Sequence, residues 1–199
     1  MHALFLMRLF GTLLFFTQLA VSKPMVVIDA GHGGHDIGGM PGQALEEKGY
    51  ALDVARRLDS ALRSAGYSTV MTRRGDYFVT LGERAAIANR YKDRAVFVSI
   101  HFNGAPNPDA HGIETYYAAG SASARLAQSI HRRVLGATGE EDRRVRSRGF
   151  SVLRNTRMPA VLCELGFLTN RGEARNITSS RYRQRLAEAV AAGIRGVYR

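Results

Sequence analysis

Three apolar runs in this chain each end in a residue able to bind a metal or move a proton. His32 closes the run that begins at Met25, His101 closes the run from Ala95, and Glu164 closes the run from Ala160. Imidazole and carboxylate groups bind divalent metals through nitrogen and oxygen, and both serve as acids and bases. A fourth residue, Glu47, opens the helical pattern that follows the first run. It lies eleven residues before Leu58, about three turns, and so shares that helix's inward face. A carboxylate at the start of a buried face needs a partner, and a metal would supply one. Two imidazoles and one carboxylate make up a catalytic zinc shell with its fourth position open to water. Zinc in that shell polarises a carbonyl and lowers the pKa of its bound water. Glu164 is then free to act as general base and acid.

Each residue also has an ordinary structural role open to it. Glu47 could complement the dipole of its helix, and the histidines could be hydrogen-bonded structural groups. The ligands come from separate elements, so spacing alone does not choose between these readings.

The elements that would position the four residues are legible in the pattern of apolar positions. Met25–Asp29, with β-branched residues at 26, 27 and 28, reads as a central strand. A glycine-rich loop, Gly31–Gly42, keeps the region around His32 open. A helix follows from about Leu45 to Ala65, with Leu52, Ala55, Leu58 and Leu62 inward and Gly66 placed to end it. Tyr67–Thr72 is a strand, and Thr80-Leu-Gly-Glu83 is a capping box that opens a helix running to about Lys92. Ala95–Ile100 and Gly112–Tyr117 are strands. Ser121–Leu135 is a helix with Leu126, Ile130 and Val134 inward. Gly136–Gly149 reads as a charged loop, Phe150–Leu153 and Val161–Cys163 as short strands, and Tyr182–Tyr198 as the last helix. Strands alternating with helices predict a single α/β layered domain with a mostly parallel twisted sheet flanked by helices. Its chemistry would sit at the C-terminal edge of the strands.

Composition narrows the setting. Arg8 precedes the apolar stretch Leu9–Phe16, and Ala20-Val-Ser22 offers small residues for cleavage. This predicts a secretory signal peptide over residues 1–22 and a catalytic domain over 23–199. An uncleaved anchor is the alternative. The one cysteine, Cys163, excludes an intramolecular disulfide and reads as a buried hydrophobe. A formal net charge of +11 points to anionic partners. Export favours a cell-wall polymer over nucleic acid, and no stable membrane association is expected after cleavage.

The sequence resembles the zinc-dependent N-acetylmuramoyl-L-alanine amidases of the amidase 3 family over nearly all of Met25–Tyr198. The resemblance rests on an ordered series of segments. These are Val27-Ile-Asp-Ala-Gly-His-Gly-Gly34, Glu47-Lys48 with Leu52 and Ala55, Thr72-Arg73, and Leu81 with Arg84, Ala88 and Asn89. Ser99-Ile-His-Phe-Asn103, Gly112-Ile-Glu-Thr-Tyr-Tyr117 and the stretch from Met158 to Asn170 complete it. It implies zinc held by His32, Glu47 and His101, with Glu164 as the catalytic acid/base. The bond cut would join N-acetylmuramic acid to the L-alanine of the peptidoglycan stem peptide, in the periplasm or the cell wall. Ala30, Gly49 and Phe102 depart from the family pattern without removing a ligand. Some family members carry an inserted helix that blocks the zinc. One helix and one charged loop fill Tyr117 to Phe150 here, so no obligatory activator is expected.

Other polar residues read differently. Glu46 points about 100° away from Glu47 and is expected in solvent. His35 and Asp36 read as solvated loop residues, with substrate contact as the lesser alternative. Asp29 could orient a metal-bound histidine or cap its strand, and Asn103 could position substrate. His111 carries little weight as a ligand, and His131 reads as a surface residue. Arg143, Arg144, Arg146 and Arg148 form either a solvated charge run or a contact for stem-peptide carboxylates.

Overall fold

The computed structural model describes residues 23–199. The expected signal peptide, residues 1–22, lies outside the described residues. Six strands form one sheet: β1 (Met25–Ala30), β2 (Thr69–Met71), β3 (Ala95–Asn103), β4 (Ile113–Tyr117), β5 (Asp142–Ser147) and β6 (Ala160–Phe167), in the order β2-β1-β3-β6-β4-β5. All neighbours are parallel except β4 and β6.

The central strands are apolar throughout because both faces of the sheet are covered. Along β1 and β3, Val26, Ile28, Val96, Val98 and Ile100 face one core, while Val27 and Phe97 face the other. The larger core lies under α1 (Glu47–Ser64), α3 (Ser121–Thr138) and α6 (Ser180–Val197). Their expected inward residues, among them Leu58, Leu62, Ile130, Val134, Val190 and Ile194, are fully buried. Each large apolar side chain removed from water here contributes roughly 1.5–3 kcal/mol. The smaller core lies under α2 (Leu81–Asn89) and the short α4 (Ser151–Arg154). The Thr80–Glu83 capping box forms as read, and Gly66 ends α1 with φ +78°.

Three expectations need correction. The supposed charged loop contains β5, an edge strand paired only with β4. Its sequence, DRRVRS, has one apolar residue, so the alternation that marks a strand is absent. Charged side chains on an edge strand block pairing with another sheet. The short strand expected at Phe150–Leu153 is instead the helical turn α4, which buries Val152 and Leu153. A further helix, α5 (Arg171–Thr178), was not expected. Asn170 caps it, accepting hydrogen bonds from the Gly172 and Glu173 amides. No helix among the described residues is long and apolar enough to cross a membrane.

Candidate metal centre

β1, β3 and β6 end at the same edge of the sheet, and this brings the chemistry together. His32 lies two residues past β1, His101 lies near the end of β3, and Glu47 is the first residue of α1. Glu47 is buried, with one carboxylate oxygen toward each imidazole. Its Oε2 is 3.0 Å from His32 Nε2, and its Oε1 is 2.8 Å from His101 Nδ1. One ligand atom from each residue lies within 4.8 Å of the others. The imidazole rings meet edge to face, 4.9 Å between centroids.

The surrounding backbone is shaped for this cluster. Glu47 also accepts hydrogen bonds from the Phe102 amide (3.0 Å) and the Gly39 amide (3.0 Å). A Cβ on Gly31 would lie 2.3 Å from the His101 ring, and one on Gly38 would lie 2.7 Å from both Glu47 and His32. His32 itself takes φ +58°, a conformation uncommon for a non-glycine residue and one that recurs at functional sites. Asp36 sits 2.9 Å from His32 Nδ1. It therefore fixes the tautomer that leaves Nε2 free to ligate. Asp36 was expected in solvent; it is a partner of the histidine instead. Two nitrogen donors and one oxygen donor converging from partly buried to buried side chains fit a zinc ion's preferences.

Two buried arginines hold the loop that carries His32. Arg73 donates to the Ala30, Gly31, Gly75 and Lys48 carbonyls. Arg84 donates to the Val79 and His32 carbonyls and pairs with Asp29 at 2.8 Å. Asp29 also accepts from Thr72 and Ser99. Asp29 thus contacts neither histidine and acts on His32 through Arg84.

Glu164 stands opposite His101 in the β3–β6 register. It is partly buried, and its Oε2 is sealed from solvent without a hydrogen-bond partner. Burial pushes its pKa up to about 7, with Glu47 and Glu114 adding to the shift and His101 opposing it. Burial also works against charge on His101, but hydrogen bonding to Glu47 outweighs it and raises that pKa to about 9. Burial would raise Glu47, yet its bonds to His101 and His32 bring it down to about 2. The cluster thus holds an ionised carboxylate between two basic imidazoles, beside a second carboxyl poised near neutrality.

Other residues fall away from the cluster. Glu46 is exposed and lies 3.6 Å from Lys48. His35 stacks on Phe78. His111 is exposed beside Glu141. His131, expected on the surface, is buried between Thr115 (3.0 Å) and Asp142 (2.8 Å). Asn103 donates to Glu114 (2.8 Å). Arg143 is partly exposed and pairs with Glu114 at 3.1 Å, while Arg144, Arg146 and Arg148 are exposed. Cys163 is buried, and its thiol is pushed up to about 12.

The fold and site define an α/β domain with a His–Glu–His cluster and a nearby glutamate at the strand ends. Comparisons with known proteins identify the family of the domain. Residues 26–196 match the family described as N-acetylmuramoyl-L-alanine amidase, and the chain belongs to that family. It is 39% identical over 176 residues to YqiI of Bacillus subtilis, covering 87% of this chain and 84% of YqiI. It is 35% identical to the N-acetylmuramoyl-L-alanine amidase LytC of the same organism, covering 87% of this chain but 35% of LytC. Among solved structures, the catalytic domain of the amidase CwlV from Bacillus (Paenibacillus) polymyxa superimposes with a TM-score of 0.81 at 39% identity. That match covers 87% of this chain and 97% of the CwlV domain.

Proposed function

We propose that the chain is a zinc-dependent N-acetylmuramoyl-L-alanine amidase of peptidoglycan. The single observation that carries this reading is the convergence of His32, Glu47 and His101, with Glu164 beside them and outside the donor set. His32, Glu47 and His101 would hold the ion. Zinc, when bound, supplies Lewis acidity toward the scissile carbonyl and acidifies a water.

The chain's own residues do the rest. Glu164 takes a proton from the water that attacks the lactyl carbonyl of N-acetylmuramic acid. The carbon–nitrogen bond to L-alanine breaks, and Glu164 passes the proton to the leaving amine. Its Oε2, sealed and without a hydrogen-bond partner, leaves the carboxyl free to exchange a proton in both roles. Asp36 keeps His32 in its ligating tautomer, and Arg73 and Arg84 keep its loop in place.

We assign residues 23–199 as the catalytic domain and residues 1–22 as an export signal, which puts the enzyme in the periplasm or at the cell wall. The stretch from Tyr117 to Phe150 contains α3, packed on α6, and β5 at the sheet edge. Neither supplies a residue to the cluster, and we expect activity without a partner. Digestion of purified peptidoglycan tests the bond assignment. The amidase releases whole stem peptides with a free N-terminal L-alanine and leaves the glycan intact. New amino termini only at inner stem residues would mark a peptidase instead.

A further inference from the structure

We propose that the end of the domain opposite the metal cluster docks on anionic lipid headgroups and turns the cluster away from the bilayer. β1, β2, β3 and β6 start at this end, and β4 and β5 finish there. It is the far end of the sheet: five residue steps along β6 lead from Pro159 to Glu164, about 17 Å at ~3.3 Å per residue.

The exposed charge lining the hollows at this end is predominantly positive. Lys23, Arg90 and Arg94 line one hollow beside the start of β1. Arg195 and Arg199 share a second hollow with Lys23. Arg148, Arg154 and Arg157 border a third, of about 670 Å³, beside the start of β6. These side chains are all exposed. Among the described residues none of these eight side chains makes an ion pair; the arginines that do are Arg57, Arg63, Arg74, Arg84, Arg143, Arg146 and Arg183. Asp93 is the only acidic side chain lining the three hollows. The opposite end, by contrast, gathers Asp36, Glu47, Glu114 and Glu164.

A bilayer suits this surface better than a single polymer strand. The cations are spread over three hollows across the whole end rather than along one groove. Tyr91 and Phe150, each more than a third exposed, sit among them, and aromatic side chains favour the interface between headgroups and hydrocarbon. The sequence that reaches the domain at Lys23 carries no charge from Leu9 to Ser22 and is rich in Leu and Phe. That stretch would bring this end toward the membrane during export. Each basic side chain close to an anionic leaflet adds about 1 kcal/mol of attraction, and salt weakens it. The attachment is therefore peripheral and salt-labile, and it goes beyond the sequence-based expectation of no stable membrane association. It does not depend on the reaction at the other end.

Vesicle sedimentation of the mature domain, residues 23–199, tests this. The vesicles are phosphatidylcholine alone, or phosphatidylcholine with about one-third phosphatidylglycerol. The wild type should partition at least tenfold better onto the anionic vesicles, and raised salt should release it. Arg94→Glu/Arg195→Glu should lower that partitioning at least tenfold. Arg171→Glu/Arg175→Glu, on exposed positions of α5 at the metal end, should leave it unchanged. Equal binding of the wild type to both vesicle types would overturn the proposal. So would an equal loss in the two variants, which reports net charge alone. Binding to a soluble wall polyanion without binding to vesicles would overturn it in favour of the polymer. Should a variant fail to fold, the wild-type lipid and salt comparisons decide.

Discussion

Glu114 and Glu164 face each other directly across the antiparallel β4–β6 ladder, and their surroundings differ sharply. Glu114 accepts hydrogen bonds from Asn103 (2.8 Å), the Tyr116 hydroxyl (2.7 Å) and Arg143 (3.1 Å). Burial would raise its pKa, but these partners hold it below the usual carboxylate range. Glu164 has a sealed oxygen with no partner and stays near neutrality. One fold edge thus holds a fixed anion and a carboxyl free to exchange a proton, and environment alone divides the roles.

Glu114→Ala should therefore cost more than a surface substitution. It strands the buried Tyr116 hydroxyl, at a cost on the order of 1–3 kcal/mol, and leaves the partly exposed Asn103 amide and Arg143 guanidinium to water. Urea denaturation should show a total loss in that range after partial relaxation. A stability equal to wild type would mean that the network carries no net energy.

Asp36 acts on the metal through His32. Replacing Asp36 with alanine frees the imidazole to rotate and change tautomer, and loss of such a partner typically weakens metal binding 10–100-fold. Competition against a chromophoric chelator should show that weakening, with an unchanged far-ultraviolet spectrum. Unaltered zinc affinity would remove Asp36 from the site.

Glu173 supplies a pH signature away from the cluster. It is buried, and its carboxylate accepts hydrogen bonds from the Phe167 and Gly112 amides. Burial pushes its pKa up to about 7, with the two amide bonds opposing it. Its protonated form favours the fold. The stabilisation is complete below the unfolded pKa of about 4.5 and is lost as pH rises through about 7. Glu173→Gln removes this term, so its stability relative to wild type should improve between pH 5 and pH 8, by on the order of 2 kcal/mol. A wild-type-to-variant difference that is the same at both pH values would contradict the assignment.

The sequence pattern was most readable where one residue type had one job. Apolar strands ending in His32, His101 and Glu164 marked the edge, and the 3.6-residue spacing of Leu52, Ala55, Leu58 and Leu62 marked α1. What escaped was polar structure that works through contacts between distant segments. β5 was read as a loop because its outward arginines hide the alternation. His131 was read as a surface residue because Arg132 and Arg133 follow it, whereas its partners come from β4 and β5. Arg73 and Arg84 were noted only as part of a resemblance. A charged residue closing a buried strand, or sitting at an alanine-rich helix position, was the signal available, and their carbonyl targets at Ala30, Gly31 and His32 lie more than forty residues away. Asp36 lies four residues from His32 in a loop rather than a helix, so periodicity gave no reason to pair them.

The most direct measurement is stem-peptide release from purified peptidoglycan by wild type and by Glu164→Ala, each with and without a chelator. The account predicts that Glu164→Ala retains zinc but loses activity by roughly 10²–10⁴-fold. It also predicts that the chelated wild type is inactive and recovers when zinc is returned. Full activity in Glu164→Ala, or in wild type stripped of zinc, would contradict the account.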